Sequence, residues 1–143
     1  MPSAPVTLLN ARAVARTIDL GDYRRPHGIV WLAGATPRVA VTAEQSQAVL
    51  VVDVAAGRVE RAVSTAQQGT HMIVLAPDGR AAWTANIGSG SVSRLDLAEG
   101  RVTRTKPVGR GPEGLDVSPD GRELWAADRQ LDRITILDAT TLD

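Results

Sequence analysis

Ala76-Pro77-Asp78-Gly79-Arg80-Ala81-Ala82-Trp83-Thr84-Ala85-Asn86 returns 42 residues later as Ser118-Pro119-Asp120-Gly121-Arg122-Glu123-Leu124-Trp125-Ala126-Ala127-Asp128. A fixed interval of this length marks a repeat architecture, in which one small unit is copied along the chain. Other slots keep the interval. Val49-Leu50-Val51-Val52-Asp53 returns as Val92-Ser93-Arg94-Leu95-Asp96 and then as Ile134-Thr135-Ile136-Leu137-Asp138, the aspartates lying 43 and 42 residues apart. Thr42-Ala43-Glu44 shares a slot with Thr84-Ala85-Asn86 and Ala126-Ala127-Asp128, and Val6-Thr7-Leu8-Leu9-Asn10 fits the slot that ends at Asp53.

Within a unit the pattern is β. Residues 72–76 are a short apolar run and read as an inner strand. Pro77-Asp78-Gly79-Arg80 is a turn, with Pro setting φ and Gly accepting positive φ. Residues 81–85 form a second strand, and 86–90 a loop. Residues 92–97 alternate apolar and polar side chains, as a half-buried strand does. Glu99-Gly100 turns the chain into a polar outer strand over 101–107. Helical periodicity is absent, and the Pro-Asp-Gly turns would interrupt any helical run. Four short antiparallel strands per unit, apolar inside and polar outside, describe a blade of an all-β propeller whose inner strands line a central channel.

The units divide the chain into a single propeller segment. Residues 1–25 carry the last strands of a preceding blade, over 6–10 and 14–20. Residues 26–69 and 70–111 are complete blades, and 112–143 an incomplete one with strands one to three. That is about thirteen strands, or roughly three blades, whereas propellers close with 4–8. Two expectations follow. Either the chain is a piece of a longer propeller, or copies associate, with residues 14–20 supplying the fourth strand of a partner's last blade.

Composition narrows the function. The chain has 143 residues, 43% of them hydrophobic and 22% charged, as globular domains do. Sixteen Lys and Arg balance sixteen Asp and Glu. A nucleic-acid binder needs a positive surface, and so does a polybasic membrane-surface protein, so neither is expected. The absence of cysteine removes disulfides, Cys-ligated zinc and thiol nucleophiles. No basic stretch followed by an apolar one opens the sequence, so no signal peptide is read, and no run is long enough to span a bilayer.

Pro112-Glu113-Gly114-Leu115-Asp116-Val117-Ser118-Pro119-Asp120-Gly121-Arg122-Glu123-Leu124-Trp125-Ala126-Ala127-Asp128 resembles the YVTN-family β-propeller repeat. So does Ile134-Thr135-Ile136-Leu137-Asp138-Ala139-Thr140-Thr141. Two departures stand out: Trp fills the family's Tyr slot in two copies, and the first copy has Ala35-Thr36-Pro37-Arg38 where the others have Pro-Asp-Gly-Arg. The resemblance implies a fold shared with seven-bladed propellers of the lactonase, cytochrome-cd1-like and amine-dehydrogenase-subunit kinds. It selects none of their activities. By the same analogy it suggests a periplasmic or extracellular protein.

The polar residues offer three aligned rings. His27, His71 and Glu113 stand at the start of successive inner strands, and His27 and His71 are the only histidines. Two imidazoles and a carboxylate suit a divalent metal such as zinc, copper or iron, or an acid–base group. The competing expectation is a polar lining that faces channel water. Glu44, Asn86 and Asp128 follow the second strand, where such side chains bond the next loop's backbone, with a calcium-like or ligand site as the alternative. Asp53, Asp96 and Asp138 end the third strand and read as turn chemistry. Asp22-Tyr23-Arg24-Arg25 and Gly109-Arg110-Gly111 lead into inner strands and are candidates for an anionic ligand at the channel mouth. Gly88-Ser89-Gly90 lacks the following helix and Lys of a phosphate loop and reads as a hairpin loop. Trp31, Trp83 and Trp125 are expected between blades as core. No Gly-x-Ser-x-Gly elbow occurs. The leading expectation is a non-enzymatic scaffold that offers loops and a channel mouth to a protein or small ligand. The alternative is an enzyme-associated propeller, either a lactonase-like hydrolase or an accessory subunit of a redox enzyme, using His27, His71 and Glu113. No other cofactor is expected.

Overall fold

The computed structural model describes residues 14–143, and among them there is no α-helix, only strands, turns and one 3-10 turn at Glu44–Ser46. The first sheet joins β1 (Pro26–Leu32), β2 (Arg38–Ala43), β3 (Ala48–Asp53) and β4 (Arg58–Ser64) in chain order. The middle sheet repeats this with β5 (Thr70–Leu75), β6 (Ala81–Asn86), β7 (Ser91–Asp96) and β8 (Arg101–Pro107). The last sheet holds β9 (Pro112–Val117), β10 (Glu123–Asp128) and β11 (Arg133–Asp138). All pairings are antiparallel. The protein is a partial propeller of about three blades.

Turn chemistry sets these strands. Gly79 and Gly121 adopt φ of 71° and 73°, a conformation that disfavours any side chain. Asp53, Asp96 and Asp138 each accept a backbone N–H from the turn that follows: Ala56, Glu99 and Thr140, all at 2.8 Å.

The sheets stack face to face, with β1, β5 and β9 side by side at the inner edge. One seam packs Ala40, Val49 and Val63 of the first sheet against Ile73, Ala82 and Leu95 of the middle one. The second seam packs Trp83, Val92 and Val108 against Leu124, Ala126 and Leu137. There the Trp83 indole also donates to the Ala139 carbonyl at 2.9 Å. Strand β6, covered on both faces, is buried at every residue.

Two expectations need correction. Residues 14–20 form no strand. A strand needs a neighbouring ladder for its backbone groups, and no described strand lies beside this segment. It crosses the outward face of the first sheet instead, where Ile18, Leu20 and Tyr23 pack on Val41, Leu50 and Val52. Its Arg16 guanidinium donates to the carbonyls of Val54 and Ala55 at 2.8 and 3.0 Å. Arg61 makes the same clasp one blade later, on Leu97 and Ala98 at 2.8 Å each. The strand expected over 6–10 lies outside the described residues. The second correction concerns the tryptophans. Trp83 lies between sheets, but Trp31 and Trp125 are 61% and 40% exposed, because no described sheet covers the faces that carry them.

Candidate functional site

The inner strands begin at one end of the channel, and each begins irregularly. The β5–β6 register runs from Thr70↔Asn86 to Met72↔Ala85 and leaves His71 without a partner. The β9–β10 register skips Glu113 in the same way, and β1–β2 skips His27 and Gly28. Each is a β-bulge, which bends the strand and re-aims the extra side chain. The three residues aligned in sequence therefore share one structural device.

Gly28 shows how closely the inner strands approach. A Cβ there would lie 2.9 Å from the His71 carbonyl and 3.0 Å from the Ile73 nitrogen, so only glycine fits. The fully buried Thr42 hydroxyl completes the junction: it accepts the Gly28 N–H at 2.7 Å and donates to the His71 carbonyl at 2.6 Å.

On this base the side chains assemble around His71. Its Nδ1 faces Glu44 Oε2 and its Nε2 faces Glu113 Oε1, both at 3.3 Å. The His27 ring stacks on it with centroids 3.6 Å apart and planes 30° apart. Glu113 is also held by Arg129 at 3.2 Å, and Arg25 stands 3.8 Å from Glu44. The result is a line of polar contacts, Arg25–Glu44–His71–Glu113–Arg129, that crosses all three sheets. His71 Nδ1 and Glu44 are hydrogen-bonded, while Nε2 and Glu113 stand at ion-pair distance. Among the described residues, no group of three His, Asp or Glu has the geometry to hold a metal ion.

The structure thus brings His27, His71 and Glu113 together and adds Glu44 from the second ring. The rest of that ring disperses. Asn86 is fully buried and donates to the hydroxyls of Ser91 and Ser93 at 3.1 and 2.9 Å, while its carbonyl oxygen accepts from Thr84 at 3.2 Å. Asp128 is a backbone clamp. It accepts N–H groups of Arg110 (2.7 Å) and Gly111 (3.1 Å) through one oxygen, and of Gln130 (2.8 Å) and Leu131 (3.1 Å) through the other. Burial pushes this carboxyl up, but the four N–H donors outweigh it and hold it below the ordinary carboxylate range. Arg129 and Thr42 carried no signal in the sequence, since Arg129 acts on the neighbouring strand of its own sheet and Thr42 across a seam on His71. Beside Glu113 an open groove of about 660 Å³ runs along the uncovered face of the last sheet, past Ala127, Arg129, Arg133 and Ile134.

No described helix is long and apolar enough to cross a membrane. The model of one protein family, described as YNCE-like beta-propeller, matches residues 33–142. Among solved structures, hydrazine synthase of Kuenenia stuttgartiensis is 22% identical with a TM-score of 0.76, over 91% of this chain and 37% of that one. A candidate 6-phosphogluconolactonase of Bacteroides fragilis is also 22% identical, with a TM-score of 0.67 over 79% of this chain and 34% of that one. At these identities the likeness is one of fold, and this chain spans little more than a third of either structure. No curated protein matches.

Proposed function

The chain belongs to the YNCE-like β-propeller family, and from that premise we propose that it is a non-enzymatic propeller scaffold. Its channel-mouth loops meet a protein or small ligand. One observation carries this reading. His71 has a carboxylate 3.3 Å from each ring nitrogen and the His27 ring on its face, so its polar neighbours all belong to the chain itself. The cluster ties three sheets together at the mouth.

The competing reading would make the same residues the active cluster of a lactonase-like hydrolase or redox subunit. Elemental analysis and a δ-gluconolactone hydrolysis assay on the purified chain separate the two. The scaffold reading expects no stoichiometric metal and no turnover above the uncatalysed rate. Bound metal or turnover that disappears in His71→Ala overturns it.

A further inference from the structure

Away from the histidines, the two seams are filled differently. In the second seam the Trp83 indole lies between the sheets and donates to the Ala139 carbonyl at 2.9 Å. The same slot of the first sheet holds Ala40, which pairs with Val51 as Trp83 pairs with Arg94. The carbonyl in the place of Ala139 is that of Leu97, since each residue follows the aspartate that ends a third strand. Arg61 takes it, its Nη1 donating to Leu97 and Ala98 at 2.8 Å each. A methyl group and a guanidinium thus stand where the second seam has an indole. Between the first and middle sheets here is a cavity of about 310 Å³, lined chiefly by Leu32, Arg38, Val51, Arg61, Leu75 and Leu97. We propose that this cavity binds a small organic carboxylate, its apolar body among the leucines and its charge on Arg38 and Arg61.

Three observations select that class. The first is charge. Two guanidinium groups line the cavity and no carboxylate does. The hydrogen bonds of Arg61 go to carbonyls, which fix its guanidinium without neutralising it. Arg38 Nη1 stands 3.6 Å from Glu60, too far for a hydrogen bond, and Arg38 Nε is buried with no partner among the described residues. A buried donor left unpaired is costly, and a carboxylate is the group that matches the guanidinium fork.

The second is the rest of the wall. Leu32, Val51, Leu75 and Leu97 are apolar, which favours a hydrocarbon body over a bare inorganic anion, and the volume suits a small molecule. The third is the frame. Both walls are four-stranded sheets of this chain, packed on each other through Ala40, Val49 and Ile73, so the cavity keeps its shape whatever stands beyond either sheet. It is also separate from the channel mouth. Strand β1 runs from His27 at the mouth to Leu32 at the cavity, where Leu32 pairs with Arg38.

Calorimetric titration of the 143-residue chain with indole-3-acetate, phenylacetate and isovalerate tests this. At least one should bind at a single saturable site with a Kd below about 1 mM. The neutral amide of that acid lacks the charge and inorganic phosphate lacks the apolar body, so each should bind at least about 10-fold more weakly. Arg38→Gln should raise the Kd by about 10-fold or more. Arg38 is partly exposed, so far-UV circular dichroism should stay unchanged. Three acids that fail to saturate, an amide or phosphate that binds as tightly as the acid, or a Kd indifferent to Arg38→Gln overturns the proposal. None of these results bears on metal content or lactone turnover, which judge the scaffold reading separately.

Discussion

Trp83 and Trp125 stand 42 residues apart in the same slot, on the same strand of successive sheets and on the same face. One is 2% exposed and bonded through its indole to a carbonyl of the next sheet, and the other is 40% exposed. Ile73 and Ile29 make the same contrast from the opposite side. The difference belongs to the neighbour rather than to the residue. A repeat writes the same apolar face each time, whether or not another sheet stands against it.

The largest test of that contrast is truncation. Trp83→Ala should lower stability by about 3–5 kcal/mol. Trp125→Ala should stay within about 0.5 kcal/mol in the same chain. Urea denaturation measures both, and equal losses would break the comparison. Next comes the polar part of a covered seam. Thr42→Val strands the Gly28 N–H and the His71 carbonyl and should cost about 1–3 kcal/mol. Thr140→Val, on an exposed turn, should be close to neutral in the same assay. At the turns the effect should be smaller: Gly121→Val must hold a branched side chain at φ 73° and should cost about 1 kcal/mol or more.

Acid sharpens the comparison most gently. The Asp128 carboxyl is lower in the folded chain than its ordinary value of 3.8, so the folded state binds fewer protons below that pH. Its contribution is complete above the ordinary carboxylate range and is lost as pH falls through 3.8 towards the lowered value. Asp128→Asn should flatten that acid limb of the denaturation midpoint. An unchanged limb would mean that the clamp between the middle and last sheets adds nothing to stability.

The repeat made the architecture legible. Pro-Asp-Gly turns, alternating strands and the strand-ending Asp53, Asp96 and Asp138 are local features, and their structure follows from nearest neighbours in the chain. The polar rings were only half legible. Alignment placed His27, His71 and Glu113 in one slot, and the bulges there carry them to one place. It placed Glu44, Asn86 and Asp128 in one slot too, yet each meets a different partner: an imidazole, two serine hydroxyls, or the amides of a loop. Those partners come from adjacent strands and seams that differ in composition, which no interval reveals. The exposure of Trp31 and Trp125 was hidden for the same reason.

Strand β6 is buried along its whole length, under a sheet on either side. In a stack where each layer touches only its neighbours, opening proceeds by peeling, and a layer can leave only when one of its faces is free. The middle layer is therefore the keystone. Among the three described sheets, resistance to opening is graded towards the middle one although the three are near-copies in sequence.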